Sequence, residues 1–474
     1  MTSKWPKAGK LNKSAGNGSN TLLGKLLQFH AHFQHDLPRR SDGSADLLYK
    51  TLWIIDESHR LFARAEDAAA LDPREMVANK VLLETKRRLH ESYRVSNGKS
   101  CKVALLSGSP ICGHPVELFR QLNWIIDSTT KKLLPEEEKI FDKEWLDTQG
   151  NLLGAKADEF REVATGLISY VDRTQDGSRF PIVRSVKTVD VTIPKGQRKG
   201  ILKANKVEQI MGLEAFNTSS WPPKYRMWSK AWKPASLRKA LEMGGLSPKF
   251  MALLNAIEGL DEQDRQAHRT TFKHVIFCST RAPRGAFGPL AVACCLAAFD
   301  WVWVQDYKLR IDPKQLTQDS NYKFCVLTKE NLPGNPTGYS NSGTDRILQD
   351  VVGDIKSWCE LTEPEKRDYE QGVAPKRGVF NDRLLNTHGK LCRFLLFDRK
   401  YTEGVDMFDA KYIHVFTPQL STCLMTQAVG RITRFCGMSG LPFLPPALTT
   451  GGWNVHVLVY QGKFVLENEK QKVT

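Results

Sequence analysis

The chain has 474 residues, 41% of them hydrophobic and 25% charged, a balance that supports a buried core and excludes a disordered or collagenous chain. Its net charge of +16, with a pI near 9.3, favours a polyanionic partner such as nucleic acid. Ten cysteines are scattered with no CxxC pair or Cys/His ligand spacing, which argues against structural zinc and for a reducing, intracellular compartment. The polar start MTSKWPKAGK lacks the apolar core of a signal peptide, and no apolar run approaches the length of a membrane span, so no membrane partner is expected.

In chain order, residues 1 to about 20 are Gly/Ser/Asn/Lys-rich and read as disordered, and Thr21 to His35 has helical apolar spacing. Leu52-Trp53-Ile54-Ile55 reads as a short buried strand closed by Asp56 and Glu57. Such a run suits the carboxyl end of a parallel strand, where α/β sheets place ligands. Two adjacent acids there can divide the labour: one holds magnesium through its oxygen, the other orients or deprotonates a water attacking a phosphate. The plainer alternative is a strand ending in a solvated acidic turn. Charged, Ala/Leu-rich helices are expected between Arg60 and Glu91, then a second buried strand from Cys101 to Leu106. That strand empties into Ser107-Gly108-Ser109-Pro110, whose small residues allow close approach of a ligand, although a plain strand-to-helix turn reads the same way.

The stretch from Lys195 to Lys239 is the most basic, with Trp221, Tyr225, Trp228 and Trp232 at helical spacing among lysines and arginines. Lysines on phosphates with aromatics stacked on bases would make a nucleic-acid surface. An aromatic stripe at this period is nevertheless primarily a packing signal, so an amphipathic helix with buried aromatics is favoured. Leu246-Ser247-Pro248 reads as a capped helix start, His274 to Thr280 as a buried strand ending in hydroxyls, and Leu290 to Phe299 as an apolar helix. Residues 305–375 are polar and Gly/Asn/Pro-punctuated and read as an elaboration. Strands follow at Cys392 to Asp398 and Tyr412 to Phe416, then a helix carrying Gln427-Ala428-Val429-Gly430-Arg431-Ile432-Thr433-Arg434. Gln427, Arg431 and Arg434 recur at about one-turn intervals, which puts their polar ends on one face. Two guanidiniums there can hold a triphosphate and stabilise charge spreading over a transferred phosphoryl group. Gly430 would let that helix pack tightly.

The order DESH, LLSGSPI and PVELFRQLNWII resembles motifs II and III of superfamily 2 helicases of the Snf2-like branch, and the octet ending at Arg434 matches the pattern QxxGRxxR of their motif VI. Gly166-Leu167-Ile168-Ser169-Tyr170 with Arg179-Phe180-Pro181, and the tail Arg434 to Pro442, resemble the helicase-like ATPases of large DNA viruses, of the poxvirus and asfarvirus early transcription factor or nucleoside triphosphatase type. The tail departs from that branch at Cys436-Gly437-Met438-Ser439. The resemblance implies an α/β chain with two RecA-like lobes, binding ATP and magnesium in the cleft between them and moving on nucleic acid, DNA more than RNA. By the resemblance, Asp56 is the magnesium-side acid and Glu57 the base. Ser107, Gly108 and Ser109 couple nucleotide to nucleic acid. Ser279, Thr280, Arg281 and Thr402 contact nucleic acid, and Gln427, Gly404, Asp406, Arg431 and Arg434 contact the nucleotide. It also implies viral or transcription-complex partners and, for a viral protein, a virion or cytoplasmic factory location, otherwise nucleus or cytoplasm.

The expected layout is a partial N-terminal segment (1–45), an incomplete first lobe (46–190), a basic aromatic-rich helical insert (191–245), a second lobe (246–460) with an insert at 305–375, and a tail (461–474). The family's Gly-rich loop G-x-x-x-x-G-K-S/T is missing ahead of Asp56. Gly18 to Leu26 has one residue too many, and Gly98-Lys99-Ser100 lacks the first glycine and precedes a strand. Two readings stay open: an ATP-dependent nucleic-acid motor whose phosphate loop lies elsewhere, or a nucleic-acid-binding or assembly subunit without hydrolysis, or gene fragment, that lacks this loop.

Overall fold

The computed structural model describes residues 43, 46, 48–58, 73–96, 101–108, 110–111, 114–169, 179–193, 222–243, 246–278, 288–306, 309–328, 347–353, 361–371, 378–383, 385–398, 401, 405–417, 422–442 and 452–464. They fall into two units, divided between Val171 and Asp172. The helix expected from Thr21 to His35 lies outside the described residues.

In the first unit, β1 (Leu52–Ile55) and β2 (Lys102–Leu105) pair in parallel, with Ile55 opposite Leu105, and are connected through helix α1 (Pro73–Ser96). The expectation of a two-sided buried strand does not hold for β1. Leu52 and Ile54 are exposed, while Trp53 and Ile55 pack on a core of Leu48, Leu89, Tyr93, Cys101 and Trp124. The run LWII therefore behaves as an alternating strand covered on one face. Helices α2 (Val116–Ile125), α3 (Glu138–Trp145) and α4 (Gly154–Ala164) build a second core around Phe119, whose ring meets Phe141 and Trp145 edge-on at 5.0 and 4.7 Å.

The second unit is a parallel sheet. Its strands are β3 (Ile182–Ile193), β4 (Lys273–Phe277), β5 (Val302–Trp303), β6 (Lys323–Leu327), β7 (Phe394–Phe397), β8 (Ala410–Val415) and β9 (Asn454–Phe464). Among the described residues they lie in the order β3-β9-β8-β4-β7-β6-β5, every neighbouring pair parallel. Strands β4, β6 and β7 are buried throughout, as the continuous apolar runs of a two-sided sheet require. The helices are α5 (Pro234–Glu242), α6 (Pro248–His268), α7 (Pro289–Ala298), the short α8 (Pro313–Leu316), α9 (Glu363–Glu370) and α10 (Thr422–Gly430). Helix α7, PLAVACCLAA, is buried on nearly every side and belongs to the core. Helix α6 starts where the Ser247-Pro248 signal places it, the Ser247 hydroxyl accepting from the Phe250 amide at 3.0 Å. The architecture is thus α/β, with parallel sheets flanked by helices.

Three expectations need correction. The first-lobe boundary at 190 falls inside β3, which pairs along its length with β9 in the second unit's sheet. The insert at 305–375 contains β6, an interior strand between β5 and β7. The aromatic stripe forms no α-helix: Pro223–Tyr225 is a single 3-10 turn, and the Lys233 amide closes back on the Lys224 carbonyl at 2.8 Å. The packing part of that expectation stands, since Tyr225, Trp228 and Trp232 lie half-buried against the main core. Among the described residues six cysteines are buried free thiols and Cys436 is disulfide-bonded.

Candidate nucleotide and nucleic-acid site

At the carboxyl end of β1 the chain turns sharply through Asp56, Glu57 and Ser58. Glu57 has φ +50°, a left-handed conformation that a non-glycine residue adopts at a cost and that recurs at functional sites. The turn is held in three ways. The Asp56 carboxylate accepts the Glu57 amide at 2.9 Å, the Ser58 amide donates to the Leu106 carbonyl at 3.0 Å, and the buried Ser58 hydroxyl bonds Gln121 at 3.1 Å. Asp56 stays exposed and Glu57 half-buried. The Leu106 amide donates to the Ile55 carbonyl at 2.8 Å, so the acidic turn and the Ser107-Gly108 turn leave the sheet side by side. Gly108 is exposed, with open space about it; Ser109 lies outside the described residues. Gln121, which the sequence reading passed over, anchors this corner and also donates to the carbonyls of Pro110 and Glu117.

In the second unit, Asp406 and Arg434 come together, with Nε 3.2 Å from Oδ1 and the guanidinium half-exposed. The Met407 amide donates to the Arg431 carbonyl at 3.0 Å, and Arg431 Nη1 donates to the Val405 carbonyl at 3.3 Å. The segments 405–409 and 431–434 are therefore stitched by backbone as well as charge. The single arginine-bearing helix face does not form. Helix α10 stops at Gly430, and the chain tightens into three-residue turns, the Arg431 and Ile432 amides bonding the Ala428 and Val429 carbonyls. This rotation buries Arg431 and leaves Arg434 at the surface beside Asp406; Gln427 stays half-buried on the helix. Gly430 has open space where a Cβ would stand, so close packing does not account for it. The viral-type segment joins the same place: the Cys436 amide donates to the Arg179 carbonyl at 2.7 Å, and Phe180 lies 5.5 Å from Phe435. Thr402 and Gly404, with Ser279, Thr280 and Arg281, lie outside the described residues.

Two residues not assigned any role from sequence hold these segments. Asn381 bonds the backbone of Asp406 and Phe408, and Arg383 bonds Asp409 and the turn after Arg434. The only sequence signal for them is the polar Asn381-Asp382-Arg383 run that follows apolar Val379-Phe380 ahead of a buried strand.

Among the described residues no group of three or more His, Cys, Asp or Glu side chains could cage a metal, and no helix is long and apolar enough to cross a membrane. The exposed Asp56 carboxylate fits the way magnesium is usually held, by one or two carboxylates with water and phosphate completing the shell.

No family model matches the chain. It is 21% identical, over 462 aligned residues, to a protein of Acanthamoeba polyphaga mimivirus described as a putative ATP-dependent RNA helicase, R350; the match covers 84% of this chain and 52% of that protein. The relation to a helicase-like protein is distant, and the chain spans about half the length of the curated relative it matches. Among solved structures, the C-terminal part of the Fun30 ATPase domain aligns with TM-score 0.23 at 10% identity, covering 52% of this chain and 55% of that one. The Pyrococcus furiosus Hef helicase domain aligns with TM-score 0.29 at 12% identity, covering 89% and 72%.

Proposed function

We propose that the chain is part of a superfamily 2 helicase-like, nucleic-acid-dependent NTPase. The observation that carries the reading is the Asp406–Arg434 pair, in which two residues that the resemblance assigns to nucleotide contact are drawn together with a half-exposed guanidinium. In this reading Asp56 holds magnesium, which when bound neutralises charge on the nucleotide phosphates. Glu57 orients the attacking water and takes its proton, and Arg434 stabilises negative charge developing on the transferred phosphoryl group. Arg431, buried against the Val405 carbonyl, acts first by shaping the Asp406 loop. Gln427, Gly404 and Asp406 contribute to nucleotide contact, Ser107, Gly108 and Ser109 to coupling, and Ser279, Thr280, Arg281 and Thr402 to the nucleic-acid backbone. The net charge of +16 suits a polyanion. The mimivirus relative and the Arg179–Pro181 resemblance support a viral setting, and a role in viral transcription is part of the proposal.

The test is ATP hydrolysis by the purified chain with and without DNA or RNA, alongside nucleic-acid binding across a salt series. Stimulated turnover supports the NTPase. Salt-sensitive binding without turnover replaces it with a binding or assembly subunit.

A further inference from the structure

Asn381 and Arg383 belong to none of the helicase-like motifs, yet their side chains are covered and bonded into the Asp406–Arg434 constellation, Asn381 to segment 405–409 and Arg383 to that segment and to the turn after Arg434. The Asn381 amide nitrogen donates to the carbonyls of Val352 and Asp406, each at 2.8 Å, and its oxygen accepts the Phe408 amide at 2.9 Å. Arg383 spreads its guanidinium over four acceptors. Nε meets the Asp409 carboxylate at 3.0 Å, Nη1 the Ser439 hydroxyl, and Nη2 the carbonyls of Cys436 at 2.9 Å and Gly437 at 3.3 Å. Its plane stacks on Phe408 at 4.7 Å. Asp409 completes the clamp, accepting the Gly440 amide at 2.9 Å and donating its own amide to the Gly437 carbonyl at 2.7 Å. Both segments carry a non-glycine residue in the left-handed region, Asp409 at φ +59° and Cys436 at φ +52°. Such conformations persist only where the surroundings over-determine them.

We infer that Asn381 and Arg383 are positioning residues that set the Asp406–Arg434 pair, Arg383 by locking segment 405–409 to the turn 434–440 and Asn381 by fixing segment 405–409 to the Val352 backbone. This rests on the NTPase reading and deepens it by naming what aims its arginine. A lysine at 383 keeps the charge opposite Asp409 but cannot reach the Ser439 hydroxyl and two carbonyls at once, because an ammonium lacks the planar fork.

The test uses the full chain, with reductant present so that the Cys436 disulfide does not hold the turn. Arg383→Lys, Arg434→Ala and the double variant are compared by kcat and KM for ATP at saturating nucleic acid, and by amide exchange of 405–410 and 431–441. Arg383→Lys is expected to lower kcat about tenfold or more with KM nearly constant, the signature of a contact made in the transition state. In the Arg434→Ala background it is expected to cost at most about twofold more, because residues acting as a unit are non-additive. Exchange in both segments should quicken about tenfold or more while β4 and β7 stay protected. Multiplicative losses, or unchanged exchange, overturn the inference. If the unaltered chain shows no turnover, the NTPase reading falls, and the exchange comparison alone decides whether the clamp exists. Should Arg383→Lys not fold, Asn381→Ser, which removes the bonds to Val352, Asp406 and Phe408, is put through the same comparison.

Discussion

Replacing Arg393 by methionine isolates the buried charge at the centre of the second unit. Arg393 is 1% exposed and faces Asp261, which is 0% exposed, on helix α6. It also donates to the Phe272 carbonyl at 3.0 Å, lies 3.4 Å from His274 Nε2 and stacks on Phe394 at 4.8 Å. Burial outweighs the attraction on both partners, pushing the Asp261 carboxyl up and the Arg393 guanidinium down. Methionine keeps much of the volume but strands a carboxylate, one oxygen of which already lacks a hydrogen-bond partner among the described residues. Breaking one side of such a pair costs about 3–5 kcal/mol. Asp261 can escape by taking a proton. At pH 7, some three units above an ordinary carboxyl pKa, that uptake costs about 4 kcal/mol, which caps the loss. The loss in Arg393→Met should therefore be about 3–4 kcal/mol at pH 7 and shrink by up to about 1.4 kcal/mol per pH unit on acidification. Protonation of His274, 3.4 Å from Asp261, relieves the charge in the same direction. Denaturant melts of wild type, Arg393→Met and Asp261→Asn/Arg393→Met across pH 5 to 8 measure this, the double variant recovering about 2 kcal/mol or more. A loss under about 1 kcal/mol at pH 7, or one independent of pH, refutes the reasoning.

The same network predicts acid sensitivity. His274 and His414 bond each other at 2.8 Å, and His414 bonds the Tyr460 hydroxyl at 2.8 Å. Burial holds both imidazoles well below their ordinary pKa, helped at His274 by Arg393 and Lys411 and opposed at His414 by Asp261. Below pH about 6.5 the unfolded chain binds protons that the folded one refuses. Stability should then fall with pH by up to about 1.4 kcal/mol per unit for each histidine, less what Asp261 returns by its raised pKa. Proton NMR checks it: the two imidazoles should stay neutral through pH 6, and titration near 6.5 contradicts the account. Gly440→Ala is a third test. Its Cβ would stand 2.8 Å from an Asp409 carboxylate oxygen, so a loss of about 1–3 kcal/mol is expected in thermal melts, and an unchanged Tm counts against the clamp.

What was legible in the sequence is what local chemistry decides. The Ser247-Pro248 cap, the buried runs of β4, β7 and β8 and the apolar helix α7 each rest on neighbours a few residues away. Strand β6 was hidden because KFCVL is short and sits in a polar, turn-rich stretch, its strand character coming from burial between β5 and β7. The stop of α10 was hidden for a tertiary reason. QAVGRITR continues a helical period, but the Arg431 carbonyl is claimed by Met407 from a distant segment. The aromatic stripe announced packing correctly and helix wrongly, because two prolines and the Lys233–Lys224 closure make a loop whose rings still turn inward. At the candidate site, Asp56, Glu57, Asp406 and Arg434 carry recognisable patterns. Gln121, Asn381 and Arg383 act through backbone carbonyls and amides brought to them by the fold, a role with no motif of its own.

The most direct test of the NTPase claim is steady-state ATP turnover at saturating nucleic acid for the unaltered chain beside Glu57→Gln and Arg434→Ala. The account predicts nucleic-acid-stimulated turnover that each substitution lowers about 100-fold or more with nucleic-acid binding retained. Turnover absent from the unaltered chain, or unmoved by both substitutions, would contradict it.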